Sequence, residues 1–519
     1  MRVNKRLLNR ASVYPELFSR TANANRPLLF RAFSSVDAIT NTIEETDVLI
    51  VGGGVVGCAL ARLVNVRMPH LKVGLVEAGK GPRPIDASSF PHPRSYAMSP
   101  ASLRLLGLDD PTKNNANASS TAKRLGYYNS MQVWESHQPA SLIFQEKDLP
   151  ETTSYLGAVV EDGVLQDYLC KKLESTSESE QSCRIWKETT VAELSYMPDT
   201  PHGRPCEVVL QSTNKDNCSD AGAARQQVST KLLVAADGAN SGVRKLLGMS
   251  VPGFDYEDEQ ALTFTVALDT PHGGRAFQRF SDKGVVALLP TWSPKHAVVV
   301  WSTTPGTVKQ WIDHPDLVSH VNSVLQQGPG QLPPLFSSNG AGTSTASALS
   351  DLRYGLDKLV DTVQYSVSMA AQEYSGQFLP PPILTETVSP QFAFPLACRQ
   401  VSHYIQPRVA LVGDAAHSVH PMAGQGLNLG LQDVGNLVDV LERAAASGMD
   451  PVTFLSEYDR SRKAQVSLTI TGIHALHEMF GVQHTLAKHI KSLGMNFVQN
   501  VGPLRRSLVQ AACQGVAVP

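Results

Sequence analysis

Residues Arg408–Asp433 read RVALVGDAAHSVHPMAGQGLNLGLQD, and this stretch decides the fold. Val409–Val412 is a short apolar run of buried-strand type. It is stopped by Gly413-Asp414 and followed by a turn carrying Gly424, Gly426 and Gly430 that opens into a helix. A strand that delivers one carboxylate into a glycine-rich turn suits close approach to a polar ligand. Glycine lacks a Cβ and tolerates positive φ, and the start of a helix offers free N–H donors. The plainer alternative makes Asp414 the cap of an ordinary helix.

Working outward, a second element lies at Asp47–Ala78. Val48–Val51 reads as a buried strand, Gly52-Gly53-Gly54-Val55-Val56-Gly57 as a glycine turn, the apolar run to about Arg67 as a helix, and Lys72–Val76 as a second strand ending at Glu77. That is a βαβ dinucleotide fingerprint in order. Gly52 serves the tight turn, Gly54 the approach of a pyrophosphate, Gly57 helix–strand packing, and Glu77 a ribose hydroxyl. An acid at Glu77 disfavours a 2′-phosphate, so FAD or NAD fits better than NADP. A third element, Leu232–Arg244 (LLVAADGANSGVR), is again a buried strand, here ending in Asp237-Gly238. Alone it reads as a strand followed by an Asp-Gly turn.

In this order the three elements resemble the fingerprints of group A flavin monooxygenases. The Arg408–Asp433 run is similar, almost residue for residue, to the second flavin-contacting motif of hydroxylases of the para-hydroxybenzoate hydroxylase type. The resemblance implies an α/β fold: a Rossmann-like FAD-binding domain, an interleaved mixed-sheet substrate domain and a C-terminal helical region. It implies FAD as cofactor, held by Gly52, Gly54, Val55, Val56, Gly57, Glu77, Asp237, Gly238, Gly413 and Gly424. It further puts Arg94 near the cofactor phosphates, Gln166 near the ribityl chain and the Val191 backbone at the adenine. Asp414 falls on a ribityl hydroxyl, and Pro421, Gly426, Leu427 and Asn428 fall against the isoalloxazine ring. Without the family, Arg94 is equally well a surface arginine.

Tyr128–Glu135, Gln278–Pro290 and Phe394–Arg408 resemble, more narrowly, the mitochondrial ubiquinone-biosynthesis hydroxylases; that likeness spans roughly residues 47–460. It implies hydroxylation, at ring carbon 5, of a polyprenylated 4-hydroxybenzoate-derived phenol by way of a flavin C4a-hydroperoxide. Dioxygen and an electron donor are then required, either a ferredoxin with its reductase or NAD(P)H. Peripheral contact with the matrix side of the inner membrane and a multiprotein biosynthetic complex are implied too. One departure is His474, where the family often carries Asp. Phe280, Leu289, Pro290 and Trp301 are candidate walls of the substrate pocket; no catalytic base is identified. The alternatives are another flavoenzyme on this scaffold, an epoxidase or prenyl reductase, or a non-enzymatic prenyl binder of the GDP-dissociation-inhibitor type.

Composition sets the bounds. The chain has 519 residues and a net charge of −2, so it carries no nucleic-acid signature. Seven scattered cysteines, Cys58, Cys170, Cys183, Cys206, Cys218, Cys398 and Cys513, form no CxxC pair and suit a reducing compartment. Residues 1–36 hold seven basic residues against the single acid Glu16, with serines interspersed, which is the composition of a mitochondrial transit peptide. A disordered basic tail is the alternative. The expected organisation is a leader over 1–46, FAD-binding pieces at 47–255 and 400–446, and a substrate domain over 256–399 with a loop at 326–350. A helical region follows over 447–519. Within it His484–Val501 sets Leu486, Ile490, Leu493, Phe497 and Val501 at helical spacing beside Lys488, His489, Lys491 and Arg505-Arg506. Such a stretch packs on a core or lies on an anionic membrane surface. His474, His477 and His484 lack a matched carboxylate or cysteine set, so no metal is assigned.

Overall fold

The computed structural model describes residues 43–82, 86, 89–109, 121–136, 141–149, 153–175, 183–195, 205–213, 225–281, 284–330, 378–421, 424–481 and 485–514. The basic leader up to residue 42, nearly all of the 326–350 stretch and most of the polar insertions at 109–123, 174–183 and 212–227 lie outside the described residues.

The first strand, Glu44–Val51, begins earlier than its apolar run and pairs in parallel with Arg225–Ala235 on one side and Val73–Val76 on the other. Val48, Leu49 and Ile50 are all fully buried, which explains the unbroken apolar run: a central parallel strand is covered on both faces. The sheet continues through Val409–Leu411 beyond Arg225–Ala235 and through Arg184–Trp186 beyond Val73–Val76. Val51 lies opposite both Ala235 and Val76, and Ala235 lies opposite Leu411. The chain therefore leaves four neighbouring strands at one end of the sheet, and Gly52, Glu77, Asp237 and Gly413 emerge together. Ligands of open α/β sheets bind at this carboxyl end.

Helices Val55–Arg67 and Gly426–Ala446 start where those strands stop and pack against each other. Their approach requires glycine. A Cβ on Gly430 would lie 3.0 Å from Val56 Cγ2 and 3.2 Å from the Gly413 Cα.

A second, nine-stranded sheet is built on the long strand Gly253–Leu268, flanked by Phe392–Gln400 and His296–Thr303, and continues through Gly284–Pro290 and Arg275–Ser281. Ser130–Glu135, parallel to Arg275–Ser281, and Ser141–Phe144 extend it, and the short strands Leu384–Thr387 and His417–Ser418 complete it beside Gly253–Leu268 and Phe392–Gln400. Ser130–Glu135 and Ser141–Phe144, expected within the first domain, thus pair in the second sheet. One face buries Trp134, Phe264, Phe277, Leu288 and Trp301 against helices Pro305–Trp311 and Leu317–Leu325. Its long central strand is interrupted: Asp255 pairs with Ala397 and Gln260 with Pro395, so residues 256–259 bulge out of the ladder. The chain closes with helices Leu455–Gly481, Thr485–Asn500 and Gly502–Gln514.

Candidate functional site

Three of the four glycines of the first turn, Gly52, Gly54 and Gly57, differ in what they face. Gly52 has φ +112°, and a Cβ there would lie 2.3 Å from the Ala236 carbonyl oxygen; at Gly57 a Cβ would lie 1.9 Å from the Gly52 oxygen. Both are demanded by the chain's own packing. Gly54 meets nothing within 4 Å. It faces open space at the start of a 13-residue helix whose cap makes no side-chain hydrogen bond. Exposed N–H donors with room in front of them suit an anionic group. Glu77 accepts from the Gly53 N–H at 2.6 Å and from the Gly79 N–H at 2.7 Å, one oxygen each. Each carboxylate oxygen retains a lone pair for a further donor. Val191, on the Thr189–Ser195 strand, lies beside this corner, where the Thr189 N–H donates to the Glu77 carbonyl at 2.9 Å.

At Asp237, Oδ2 accepts from the Val243 N–H at 3.1 Å, while the buried Oδ1 has no partner. A buried carboxylate oxygen left unpaired is costly, so this atom fits a donor arriving from a ligand. Gly238, at φ +79°, also meets nothing within 4 Å. Arg244 ties this loop to the next one, donating to the Ala239 oxygen at 2.6 Å and to the Ala415 oxygen at 2.7 Å.

Asp414 is not a helix cap. The long helix behind it begins at Gly426 with Gln425 at its cap position, and Asp414 sits in a separate short turn, Gly413–Ala415. Its surface is open, yet enough protein surrounds it that burial raises its carboxyl above the usual range, against the opposing pull of His417 and Arg94. A carboxylate both open and walled in lines a concavity. Beneath it stands a residue that sequence reasoning missed. Asp433 is fully buried and accepts from the Gly413 N–H at 2.8 Å, from His417 Nε2 at 2.7 Å and from Arg462 Nε at 2.6 Å. Burial pushes the Asp433 carboxyl up, but His417 and Arg462 outweigh it and the net shift is downward. Asp433 ends the quoted motif; its partner Arg462 lies in a helix with no motif of its own, so only the folded chain pairs them.

Arg94 and Gln166 are brought together at Asp162, also unanticipated. Arg94 Nε lies 3.2 Å from Asp162 Oδ2, Gln166 Nε2 donates to Oδ1 and Oδ2 at 3.2 and 3.1 Å, and the Tyr96 hydroxyl donates to Oδ1 at 3.1 Å. The Arg94 side chain remains largely exposed. The loop bearing it is pinned by the buried Arg124–Glu161 ion pair at 2.9 Å, with the Trp292 ring over the guanidinium. Asn428 is engaged throughout: Oδ1 accepts from the Ser99 N–H and Ser102 hydroxyl, and Nδ2 donates to the Ala97 and Gly424 oxygens. Its side chain is thus spent bracing the turn. Gly424 adopts φ +59° and Gly426 meets nothing within 4 Å; Pro421 is half-buried, and Leu427 packs on the first sheet's core.

The four candidate pocket walls divide by strand alternation. Trp301 lies in the helix-side core, and Pro290, opposite Ala297 of that core, shares its side, so neither lines a pocket on the other face. Phe280 and Leu289 are on the opposite face. Phe280 stacks on Phe480 of the C-terminal helix, with ring centroids 3.8 Å apart.

The C-terminal basic residues also differ from the expected surface stripe. Lys488, His489, Lys491 and Arg505 are buried. Lys491 Nζ pairs with Glu135 at 2.6 Å and Arg505 with Asp148 at 2.8 Å, so these charges are spent inside the protein. Phe497, with Leu468, Leu476, Met479 and Leu508 on the neighbouring helices, is exposed instead. Leu486 and Ile490 have side chains outside the described residues. No helix among the described residues is long and apolar enough to cross a membrane.

His477 does find a carboxylate. The bulge at 256–259 delivers Glu259, whose oxygens lie 2.7 Å from His477 Nε2 and 3.2 Å from His420 Nε2. Ligands around tetrahedral zinc, at about 2.0–2.1 Å from the ion, stand roughly 3.3 Å apart. The 2.7 Å contact is a hydrogen bond, so the cluster stands as a hydrogen-bonded triad. His474, at the family's Asp position, packs on Phe254 with centroids 5.3 Å apart and lies parallel to His477.

The chain is similar to known proteins over most of its length. The human mitochondrial ubiquinone biosynthesis monooxygenase COQ6 is 28% identical, with 95% of this chain and 97% of that protein covered. The Drosophila melanogaster protein of the same name is 29% identical over 93% and 94%. Among solved structures, p-nitrophenol 4-monooxygenase PnpA from Pseudomonas putida superposes with a TM-score of 0.60 at 18% identity, covering 92% of this chain and all of that one. Anhydrotetracycline hydroxylase OxyS from Streptomyces rimosus gives 0.56 at 18%, covering 92% and 77%. Residues 45–327 and 353–471 match the FAD binding domain family, so that the strand ends, open glycines and unpaired carboxylate oxygen described above are those of a member: the chain belongs to the FAD-binding domain family.

Proposed function

We propose that the protein is an FAD-dependent monooxygenase that hydroxylates the aromatic ring of a polyprenylated phenol in mitochondrial ubiquinone biosynthesis. The observation that carries this reading is the convergence, at one end of a parallel sheet, of Gly54, Glu77, Asp237 and Asp414, in a chain whose full-length relatives carry the ubiquinone-biosynthesis name. Those relatives give no support to the epoxidase, prenyl-reductase or prenyl-binder readings.

When bound, FAD supplies the redox and oxygen-activating chemistry. The chain supplies placement. The free amides at Gly54–Val56 and the Arg94 guanidinium hold the pyrophosphate, Glu77 a ribose hydroxyl, the Val191 backbone the adenine, and Asp237 Oδ1 a donor in between. Gln166 and Asp414 hold the ribityl chain, and the Pro421–Asn428 turn borders the isoalloxazine ring. Phe280 and Leu289, on the sheet face away from helices Pro305–Trp311 and Leu317–Leu325, exclude water from the substrate. No side chain is assigned as base. Preorganised dipoles suffice to favour a phenolate whose ring is electron-rich.

A monooxygenase of this kind needs its substrate, dioxygen and a reductant. Carbon 5 as the ring position, a ferredoxin or NAD(P)H as donor, and membership of a multiprotein complex follow from the family likeness. Peripheral contact with the matrix face of the inner membrane rests on the exposed Leu468, Leu476, Met479 and Phe497, not on buried Lys488 or Lys491. The decisive experiment pairs reconstitution with genetics. The mature chain loaded with FAD should be yellow, and deletion should accumulate the unhydroxylated polyprenyl phenol by mass analysis. Asp414→Ala should weaken FAD binding about ten- to hundredfold, a charge-assisted hydrogen bond of roughly 1.5–3 kcal/mol, with the thermal melt of the apo chain unchanged. Unchanged affinity would remove Asp414 from the site.

A further inference from the structure

The bulge at residues 256–259 puts more residues on its strand than the partner strand needs. Five steps from Asp255 to Gln260 face two from Ala397 to Pro395. Inserted residues of this kind re-aim side chains next to working sites. Here they carry Tyr256 and Glu259 off the sheet to a place where three remote segments meet: the bulge itself, the turn at His420 and the helix Leu455–Gly481. Glu259 Oε1 lies 2.7 Å from His477 Nε2, and Glu259 Oε2 lies 3.2 Å from His420 Nε2. The Tyr256 ring closes the group, with centroids 5.0 Å from both imidazoles. His420 is completely buried and immediately precedes Pro421.

We propose that Glu259 and His477 are positioning residues of the ring-hydroxylation site: His477 fixes Glu259, Glu259 fixes His420, and His420 sets where the Pro421 turn lies against the flavin edge. This rests on the cofactor reading above. Neither residue touches flavin or substrate; both act through His420. The charge state follows the geometry. Burial pushes the Glu259 carboxyl up, but the hydrogen bonds from His420 and His477 prevail and hold it at about 2. The bond to Glu259 raises His477 above the ordinary histidine value, against the opposing effect of burial. The other titratable groups around His477 are Glu478, 3.7 Å from Nδ1, and His474 on the same helix, with Tyr256 on the bulge and His420 on the turn. The Asp255–Arg399 pair lies at the mouth of the bulge. The grip is therefore tight while His477 is protonated and slackens as pH rises through its raised value.

The test is a titration of the FAD-loaded full chain from about pH 5 to about pH 9, following the imidazole nitrogen signals of labelled histidine and the visible flavin spectrum together. In the wild type His477 should lose its proton above the ordinary histidine value, and the flavin spectrum should change in the same step. In Glu259→Gln the step should move down towards the ordinary value; in His477→Gln it should disappear with flavin retained. A yellow wild-type chain whose spectrum does not follow His477, or whose spectral step is the same in both variants, overturns the proposal alone. A chain that takes up no FAD overturns the cofactor reading and the proposal with it. Should either variant fail to fold, the wild-type coincidence of the two signals decides.

Discussion

At the scale of single residues, glycines that look alike in the sequence do different work. A Cβ at Gly57 collides with the chain itself, whereas a side chain at Gly54 enters empty space. Gly57→Ala should therefore fail to give a stable fold. Gly54→Val should melt like the wild type without cofactor and lose FAD binding, which a flavin titration beside a melt checks. Asp433 gives the opposite pattern, a carboxylate that serves the fold. Removing one partner of a buried ion pair costs about 3–5 kcal/mol, so Asp433→Ala should be strongly destabilised at neutral pH. The sign of the pH dependence follows from its lowered folded value. Stability from Asp433 is complete above its ordinary value of 3.8 and is lost as pH falls through the lower folded value. The gap between wild-type and mutant melts should close in acid, below that ordinary value.

Among elements, the docking of the C-terminal helices is the instructive case. The spacing of Leu486, Ile490, Leu493, Phe497 and Val501 marks an amphipathic helix, but periodicity does not say which face turns inward. The structure turns the lysines in, because Glu135 on a distant strand and Asp148 on a short turn wait for Lys491 and Arg505. Lys491→Met removes the buried cation facing Glu135 and should destabilise by about 3–5 kcal/mol, while Lys491→Met with Glu135→Leu should recover most of that loss; thermal melts of the pair decide. The same logic separates what was legible from what was not. Gly52–Glu77, Leu232–Arg244 and Gly413–Asp414 were readable because strand, turn and helix start are local in sequence. Asp162, Asp433 and Glu259 were not, because each acts through a partner brought in by tertiary packing: Arg94, Arg462 and His477. Trp301 was misplaced for a related reason. A strand's alternation assigns two faces without saying which faces the helices.

For the whole molecule, two sheets and a helical end share one site. The first strand's turn and the last motif are adjacent in space, with the Ala236 N–H bonded to the Val51 oxygen and the Val412 N–H to the Ala235 oxygen. The leader lies outside the described residues. Import should remove about the first 33 residues, as its arginine-rich, acid-poor composition indicates. Amino-terminal sequencing of the organellar protein checks this, and a mature chain starting at Met1 in the cytosol would contradict it.

The salt link from Arg462 to Asp433, which in turn holds the Gly413 amide, sets a timetable for assembly. A chain threaded into an organelle amino terminus first delivers Gly52–Gly57 early. The brace that completes the opposite wall arrives only with residue 462 of 519. Long-range closure of this kind comes late. Until then the wall facing the glycine turn lacks its brace, and a nascent or truncated product ending before Arg462 is an unfinished receptacle. Such a chain lacks Val466, and when shorter also Leu455 and Tyr458, which pack on the first sheet's core, and it presents that apolar surface to chaperones and proteases. Premature stop codons as far downstream as the helix Leu455–Gly481 should therefore leave neither pigment nor protein.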